Sequence, residues 1–175
     1  MLAARAGELW AREVLFKRHV DAVYGLAFRL LGPHGGAREV LHDAFLRCFS
    51  SLHDLREPSG FRLAMLRVTT RLVRRRLARS RWLGRARLAP APDFEAFQSQ
   101  LAATTSREVA SELGLFYQLI ELLPPQQRIA FVLRRVDGLS AEEVASWLCV
   151  SAPRVRRWLA DAQRQLGPLR GGLAP

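Results

Sequence analysis

Apolar residues recur three and four positions apart along most of this chain, which is the period of helices that bury one face. From Glu8 to Leu31 the stripe runs through Leu9, Val14, Leu15, Val20, Val23, Tyr24, Leu26, Ala27, Leu30 and Leu31, predicting one or two helices that stop at Gly32-Pro33. Pro33-His34-Gly35-Gly36 is a turn, because glycine and proline punctuate regular structure. Ala37 to Leu52 then repeats the pattern through Val40, Leu41, Ala44, Phe45, Cys48, Phe49 and Leu52. A break at Glu57-Pro58-Ser59-Gly60 precedes a third helix, Phe61 to about Leu83, with Phe61, Met65, Leu66, Val68, Leu72, Val73 and Leu77 on its apolar stripe.

From Gly84 to Thr105 the texture changes to Ala, Pro, Gln, Ser and Thr, with Ala89-Pro90-Ala91-Pro92 as a stiff extended stretch, so 84–105 is read as a linker. Its Phe94 and Phe97 either lie along a partner's surface or belong to a short helix on the chain's own domain. Helical patterning resumes near Ser106 and runs to Pro124-Pro125, where proline in a first turn starts the next helix, Gln126 to Val136. The chain is therefore expected to be all-α, with two small helical domains at 8–83 and 106–170 and a tail at 171–175.

The sharpest local signal follows Asp137-Gly138, a helix stop with glycine at the left-handed position. Ser140 with Glu143 three residues on is a capping box, and a short helix through Leu148 leads to the break Cys149-Val150-Ser151. Ser151 reads as a second N-cap, with Pro153 in the first turn of a helix from Ala152 to Leu166. Two short helices across a tight turn, with Val144, Ala145 and Leu148 packed on Val155 and Leu159, are the layout of a helix-turn-helix. The second helix of such a motif offers its N-terminal residues to the DNA major groove, which makes Ser151, Arg154, Arg156, Arg157 and Trp158 candidate contacts. Arginine forks onto guanine or grips phosphate; Trp158 either stacks on sugar or sits partly in the core.

Charge strengthens that reading. The 175 residues hold 27 Lys and Arg against 16 Asp and Glu, a formal net charge of +11, and a polyanion rewards clustered positive charge by releasing counterions. Nine arginines and no acid lie between Arg67 and Arg87, so the third helix presents an anion-binding face. Lys17 is the single lysine, a bias that suits phosphate forks but that a GC-rich genome also produces. No window approaches the roughly 18 apolar residues of a spanning helix, and Arg5 and Glu8 interrupt any apolar leader, so a cytoplasmic protein with no membrane association is expected. His19, His34, His42 and His53 have no nucleophile or carboxylate at catalytic spacing, and the 16 acids are dispersed. The sequence thus predicts no enzyme, no metal, no cofactor and no small-molecule substrate. Cys48 and Cys149 stand alone inside apolar patterns and are expected to be buried small hydrophobes.

Leu122-Leu123-Pro124-Pro125-Gln126-Gln127-Arg128, Asp137-Gly138-Leu139-Ser140 and Glu142-Glu143-Val144-Ala145 resemble region 4 of the extracytoplasmic-function (ECF) sigma factors, a branch of the sigma-70 family. The N-terminal half resembles region 2 of the same family through Leu15-Phe16-Lys17-Arg18-His19, Val23-Tyr24, Ala27-Phe28-Arg29-Leu30-Leu31-Gly32, Asp43-Ala44-Phe45-Leu46-Arg47 and Phe61-Arg62. The resemblance implies a protein that binds core RNA polymerase and directs promoter recognition and transcription initiation. Region 2 would dock on the polymerase clamp and read the minus-10 element; region 4 would sit on the flap and read the minus-35 element. By position, polymerase contact falls on the helix with Glu39, Val40, His42, Asp43, Leu46 and Arg47. Minus-10 contact falls on the loop Ser51 to Gly60 and on Arg62, Arg67, Arg71, Arg74 and Arg75. Minus-35 contact falls on Ser151, Arg154, Arg156, Arg157 and Trp158. Partners are then core polymerase, promoter DNA and an anti-sigma factor of the kind that restrains many members.

Region 2 departs from the family pattern. Gly36-Ala37-Arg38-Glu39 replaces the acidic run that opens the clamp-binding helix, and His42 replaces a glutamine. Ala64 stands for a tryptophan, and Arg71 and Arg75 stand for an asparagine and an aspartate. In region 4, Arg154 and Arg157 replace small hydroxylated residues, and Trp158 replaces a basic one. These departures fit either a divergent sigma factor or a sigma-derived regulator that binds DNA or polymerase without opening promoters unaided.

Overall fold

An unbroken amphipathic stripe with no internal proline makes Leu9–Leu31 one continuous helix, settling the choice between one and two. In the computed structural model, residues 2–32, 35–54, 60–85 and 107–167 are described, and no strand occurs among them. The elements in order are α1 (Leu2–Arg5), α2 (Leu9–Leu31), α3 (Ala37–Ser50), a 3-10 turn (Leu52–Asp54), α4 (Phe61–Arg85), α5 (Arg107–Glu121), α6 (Pro125–Arg135), α7 (Ala141–Leu148) and α8 (Ala152–Leu166). The chain divides into two compact units, Met1–Leu77 and Ala78–Pro175. Gly84 and Arg85 of the expected linker end α4, and its remaining residues, 86–105 with Phe94 and Phe97, lie outside the described residues.

In the first unit α2 packs along α3. Leu15, Val23, Leu26 and Leu30 of α2 meet Val40, Ala44 and Phe45 of α3 in a core that also buries Leu52, Phe61, Met65 and Val73. Phe16 leans on Phe45 with ring centroids 4.6 Å apart, and Phe45 on Phe49 at 5.5 Å. The core face of α4 is not wholly apolar, because Thr69 and Thr70 are buried on it. Each hydroxyl donates to the carbonyl four residues back, Met65 O and Leu66 O, both at 2.9 Å, so neither carries an unpaired donor into the core. The four residues of α1 are too few to show a period in sequence. They are tied down by Arg5 Nε donating to Leu52 O at 3.1 Å and by burial of Ala4.

Gly36 caps the N-terminus of α3 with φ 74°, a left-handed conformation costly for any residue with a Cβ. A Cβ placed there would lie 1.9 Å from Nη2 of Arg76, so the guanidinium of α4 lies directly over the start of α3.

In the second unit α6, α7 and α8 pack on one another, around Ile129, Val132, Leu133, Val144, Ala145, Val155, Ala162 and Leu166. Pro125 begins α6 as its fixed φ allows. The chain leaves α6 through Gly138 at φ 72°, with Asp137 N–H donating to Val132 O at 3.2 Å and Leu139 N–H to Leu133 O at 3.1 Å. The capping box at the start of α7 is complete. Glu143 N–H donates to Ser140 Oγ at 3.1 Å, and Ser140 N–H donates to Glu143 Oε2 at 2.7 Å.

Two local expectations are corrected. Ser151 occupies the N-cap of α8 with an extended backbone, yet its hydroxyl makes no capping hydrogen bond. Cys149 is exposed rather than buried. It ends α7 in the left-handed conformation, φ 55°, where Val150 N–H reaches Ala145 O at 3.0 Å, and this glycine-like turn swings the thiol outward. Cys48 is buried as expected, and burial pushes its thiol up to about 11.

Candidate nucleic-acid interface

On a helix of about 100° per residue, Arg67, Arg71, Arg74 and Arg75 fall on one side of α4, opposite the buried Phe61, Met65, Leu72 and Val73. Arg71, Arg74 and Arg75 are exposed there and Arg67 is half-buried. Three exposed guanidinium groups on adjacent turns repel one another unless an anion lies across them, which a phosphate backbone does. Arg71 is near enough to the Cys48 thiol for its charge to offset part of the burial effect there, so it stands over α3. The structure does not bring Arg62 into this group. It is exposed about 180° round the helix from Arg71 and faces α2. There, His19 meets Phe61 in a tilted ring contact with centroids 5.3 Å apart, and its pKa is lowered by burial first and by the charges of Arg18 and Arg62 after it. Of the loop Ser51 to Gly60, the part through Asp54 is a 3-10 turn and 55–59 lie outside the described residues.

The residues singled out on α3 form a solvent-facing stripe. Glu39, His42, Asp43 and Leu46 follow one another at helical spacing, Arg47 lies at the edge, and all five are exposed. Leu46 is 56% exposed at the C-terminal end of this polar stripe, while Val40 turns inward to the core.

In the helix-turn-helix of α7 and α8, Val144 and Val155 are both 0% exposed and lock the two helices together, with Leu148 and Leu159 half-buried beside them. Ser151, Arg154, Arg156 and Arg157 are exposed, and Trp158 is half-buried at the edge of the core. The arginines are not equivalent. Arg156 pairs with Glu142 in the first turn of α7 and Arg164 pairs with Asp161, whereas no acid among the described residues pairs with Arg154 or Arg157. Sequence reasoning had no signal for the Glu142 partner, because the two residues are 14 apart and meet only once the turn closes.

Arg128, part of the region 4 motif, was not singled out and is 4% exposed. Burial brings its guanidinium down to about 10, against the attraction of Glu121 and Tyr117. Its Nε and Nη2 find no hydrogen-bond acceptor among the described residues. It is an interior cation of the second unit, unavailable to a nucleic acid. No grouping of three or more His, Cys, Asp or Glu among the described residues has the geometry to hold a metal ion, and no described helix is long and apolar enough to cross a membrane.

Comparison with known proteins finds two regions of one family along the chain. Residues 15–83 match the family model of sigma-70 region 2, and residues 113–166 that of sigma-70 region 4. The ECF RNA polymerase sigma factor SigE of Mycolicibacterium smegmatis is 33% identical over 158 residues, covering 87% of this chain and 58% of the relative. The ECF RNA polymerase sigma-E factor of Escherichia coli K12 is 26% identical over 171 residues, covering 91% of this chain and 86% of the relative. Among solved structures, the sigma factor RpoE in complex with the anti-sigma factor NepR from Bartonella quintana has the same fold, with a TM-score of 0.62 at 15% identity over 93% of this chain and 98% of that one.

Proposed function

We propose that this chain, which belongs to the sigma-70 family in its ECF branch, binds core RNA polymerase and directs it to promoters. The observation that carries the reading is the presence of both family regions, in order, in one short chain: one ends in an arginine-faced helix and the other is a helix-turn-helix. The α3 stripe around Leu46 docks on the polymerase clamp, and the second unit sits on the flap. The exposed arginines of α4 hold the minus-10 region, and Arg154 and Arg157 of α8 contact the minus-35 region. The chain itself carries out no covalent chemistry. An anti-sigma protein is its regulatory partner, a role supported by the solved fold relative whose complex contains one.

A second reading, a sigma-derived regulator that cannot open promoters unaided, is favoured by one specific feature. Where the family carries residues for capturing a displaced strand, α4 carries Ala64, Arg71 and Arg75, the two arginines exposed. Phosphate grip is retained there while base stacking is lost. The experiment that separates the readings adds purified chain to bacterial core RNA polymerase with a fragmented genomic library and maps transcript starts. Core binding with starts that share an upstream motif supports the sigma factor. Core binding without transcripts, or DNA binding without core binding, supports the regulator.

A further inference from the structure

Four arginines lie on α8, Arg154, Arg156, Arg157 and Arg164, and two of them are neutralised within the protein. The pair between Arg156 and Glu142 crosses the helix-turn-helix, joining the first turn of α7 to the N-terminal half of α8, the part a helix-turn-helix offers to DNA. Glu142 is not needed to cap α7, because Glu143 already fills the capping box with Ser140. The side chains of the pair are 61% and 60% exposed, so it stands on the surface, where an ion pair adds little to stability. Beyond its place in the first turn of α7, a solvent-facing acid beside the DNA-reading face of a chain with net charge +11 changes what DNA meets.

We infer that Glu142 sets the specificity of the DNA-reading surface: by holding Arg156 it withdraws that cation from phosphate contact and leaves Arg154 and Arg157 as the uncompensated charges of α8. The inference rests on the reading of α8 as a DNA-recognition helix. Phosphate contacts are sequence-independent, and each adds about 0.9 to the slope of log K against log salt. A strongly basic chain is therefore prone to grip any duplex, and each contact removed weakens binding to unrelated DNA about fivefold near physiological salt. Base recognition by the neighbouring arginines is left untouched.

The test titrates salt against binding of the full chain to a short fluorescent duplex of unrelated sequence. Glu142→Gln is expected to steepen the slope by about 0.9 and tighten binding about fivefold at 0.15 M salt. Arg156→Ala leaves the wild-type slope unchanged, and Glu142→Gln has no effect in the Arg156→Ala background. Arg154→Ala and Arg157→Ala each make the slope shallower by about 0.9. A slope lowered by Arg156→Ala alone would overturn the inference, because Arg156 would then be gripping phosphate despite its partner. So would a Glu142→Gln effect that persists without Arg156, which would reduce Glu142 to plain repulsion. A wild-type chain with no salt-dependent duplex binding overturns instead the DNA-binding reading on which the inference stands. All these side chains are exposed, and unchanged melting curves separate the outcomes from misfolding.

Discussion

Replacing Ser140 by alanine removes one of the two reciprocal hydrogen bonds that start α7, leaving Glu143 N–H without its acceptor at 3.1 Å. Loss of an N-cap hydroxyl costs about 1 kcal/mol. The second bond, from Ser140 N–H to Glu143 Oε2 at 2.7 Å, keeps its backbone donor in the variant, so the loss stays near that figure. In a unit of this size about 1 kcal/mol corresponds to a fall of roughly 4–8 °C in melting temperature. Trp147 and Trp158 report on α7 and α8, and the exposed Trp10 and Trp82 can be replaced by phenylalanine to leave them as the only tryptophans, excited selectively above the tyrosine band. Melting followed by their fluorescence is the assay. Ser140→Gly serves as the control, since glycine at an N-cap loses only a few tenths of a kcal/mol against serine. If Ser140→Ala melts with the wild type, or glycine proves worse than alanine, the capping box does not hold α7 and the reasoning fails. The same bonds set a pH dependence. The Ser140 N–H, followed by its hydroxyl, holds the Glu143 carboxyl below its usual value. A group whose pKa is depressed on folding contributes stability above its unfolded value, about 4.3, and loses it as pH falls through the folded one. Acidification below about pH 4.3 is thus expected to lower the melting temperature of the wild type more than that of Glu143→Gln.

Other perturbations test other parts of the fold. Gly36→Ala is expected to cost roughly 1–2 kcal/mol in urea unfolding because of its positive φ, and Gly36→Asn less. The cost persists in an Arg76→Ala background, since the contacting guanidinium is the mobile end of a long side chain; relief there would show that the contact, not the backbone, is the cause. A thiol reagent on native protein is expected to modify Cys149 at once and Cys48 only after unfolding, because Cys149 is exposed while Cys48 is buried with its thiol pushed up to about 11. Two fast thiols would contradict that burial. Leu46→Asp is expected to weaken core polymerase binding at least about tenfold while changing stability by less than about 0.5 kcal/mol, as measured by pull-down and by melting. Unimpaired binding would move the docking face off α3.

The features legible in the sequence are those whose cause lies within a turn or two of helix. Apolar stripes at three and four spacings placed α2, α3, α4 and α6, and Ser140 with Glu143 announced the start of α7, because the hydrogen bonds of a helix and its cap join residues three or four apart. The run of arginines on α4 and the helix-turn-helix were readable for the same reason. Tertiary packing decided which of those residues act together. It put Thr69 and Thr70 on the core face of α4 and buried Arg128, whereas the helical period alone sets Arg62 apart from Arg71. It also laid Arg76 over Gly36 and closed the turn that exposes Cys149. Charge patterning gave Arg154, Arg156 and Arg157 equal standing, and only the crossing of α7 over α8 brought Glu142 to Arg156. Sequence periodicity fixes which face of a helix is apolar. Which charge on one helix meets which charge on another depends on how the helices cross, and that is set by the packing of their cores.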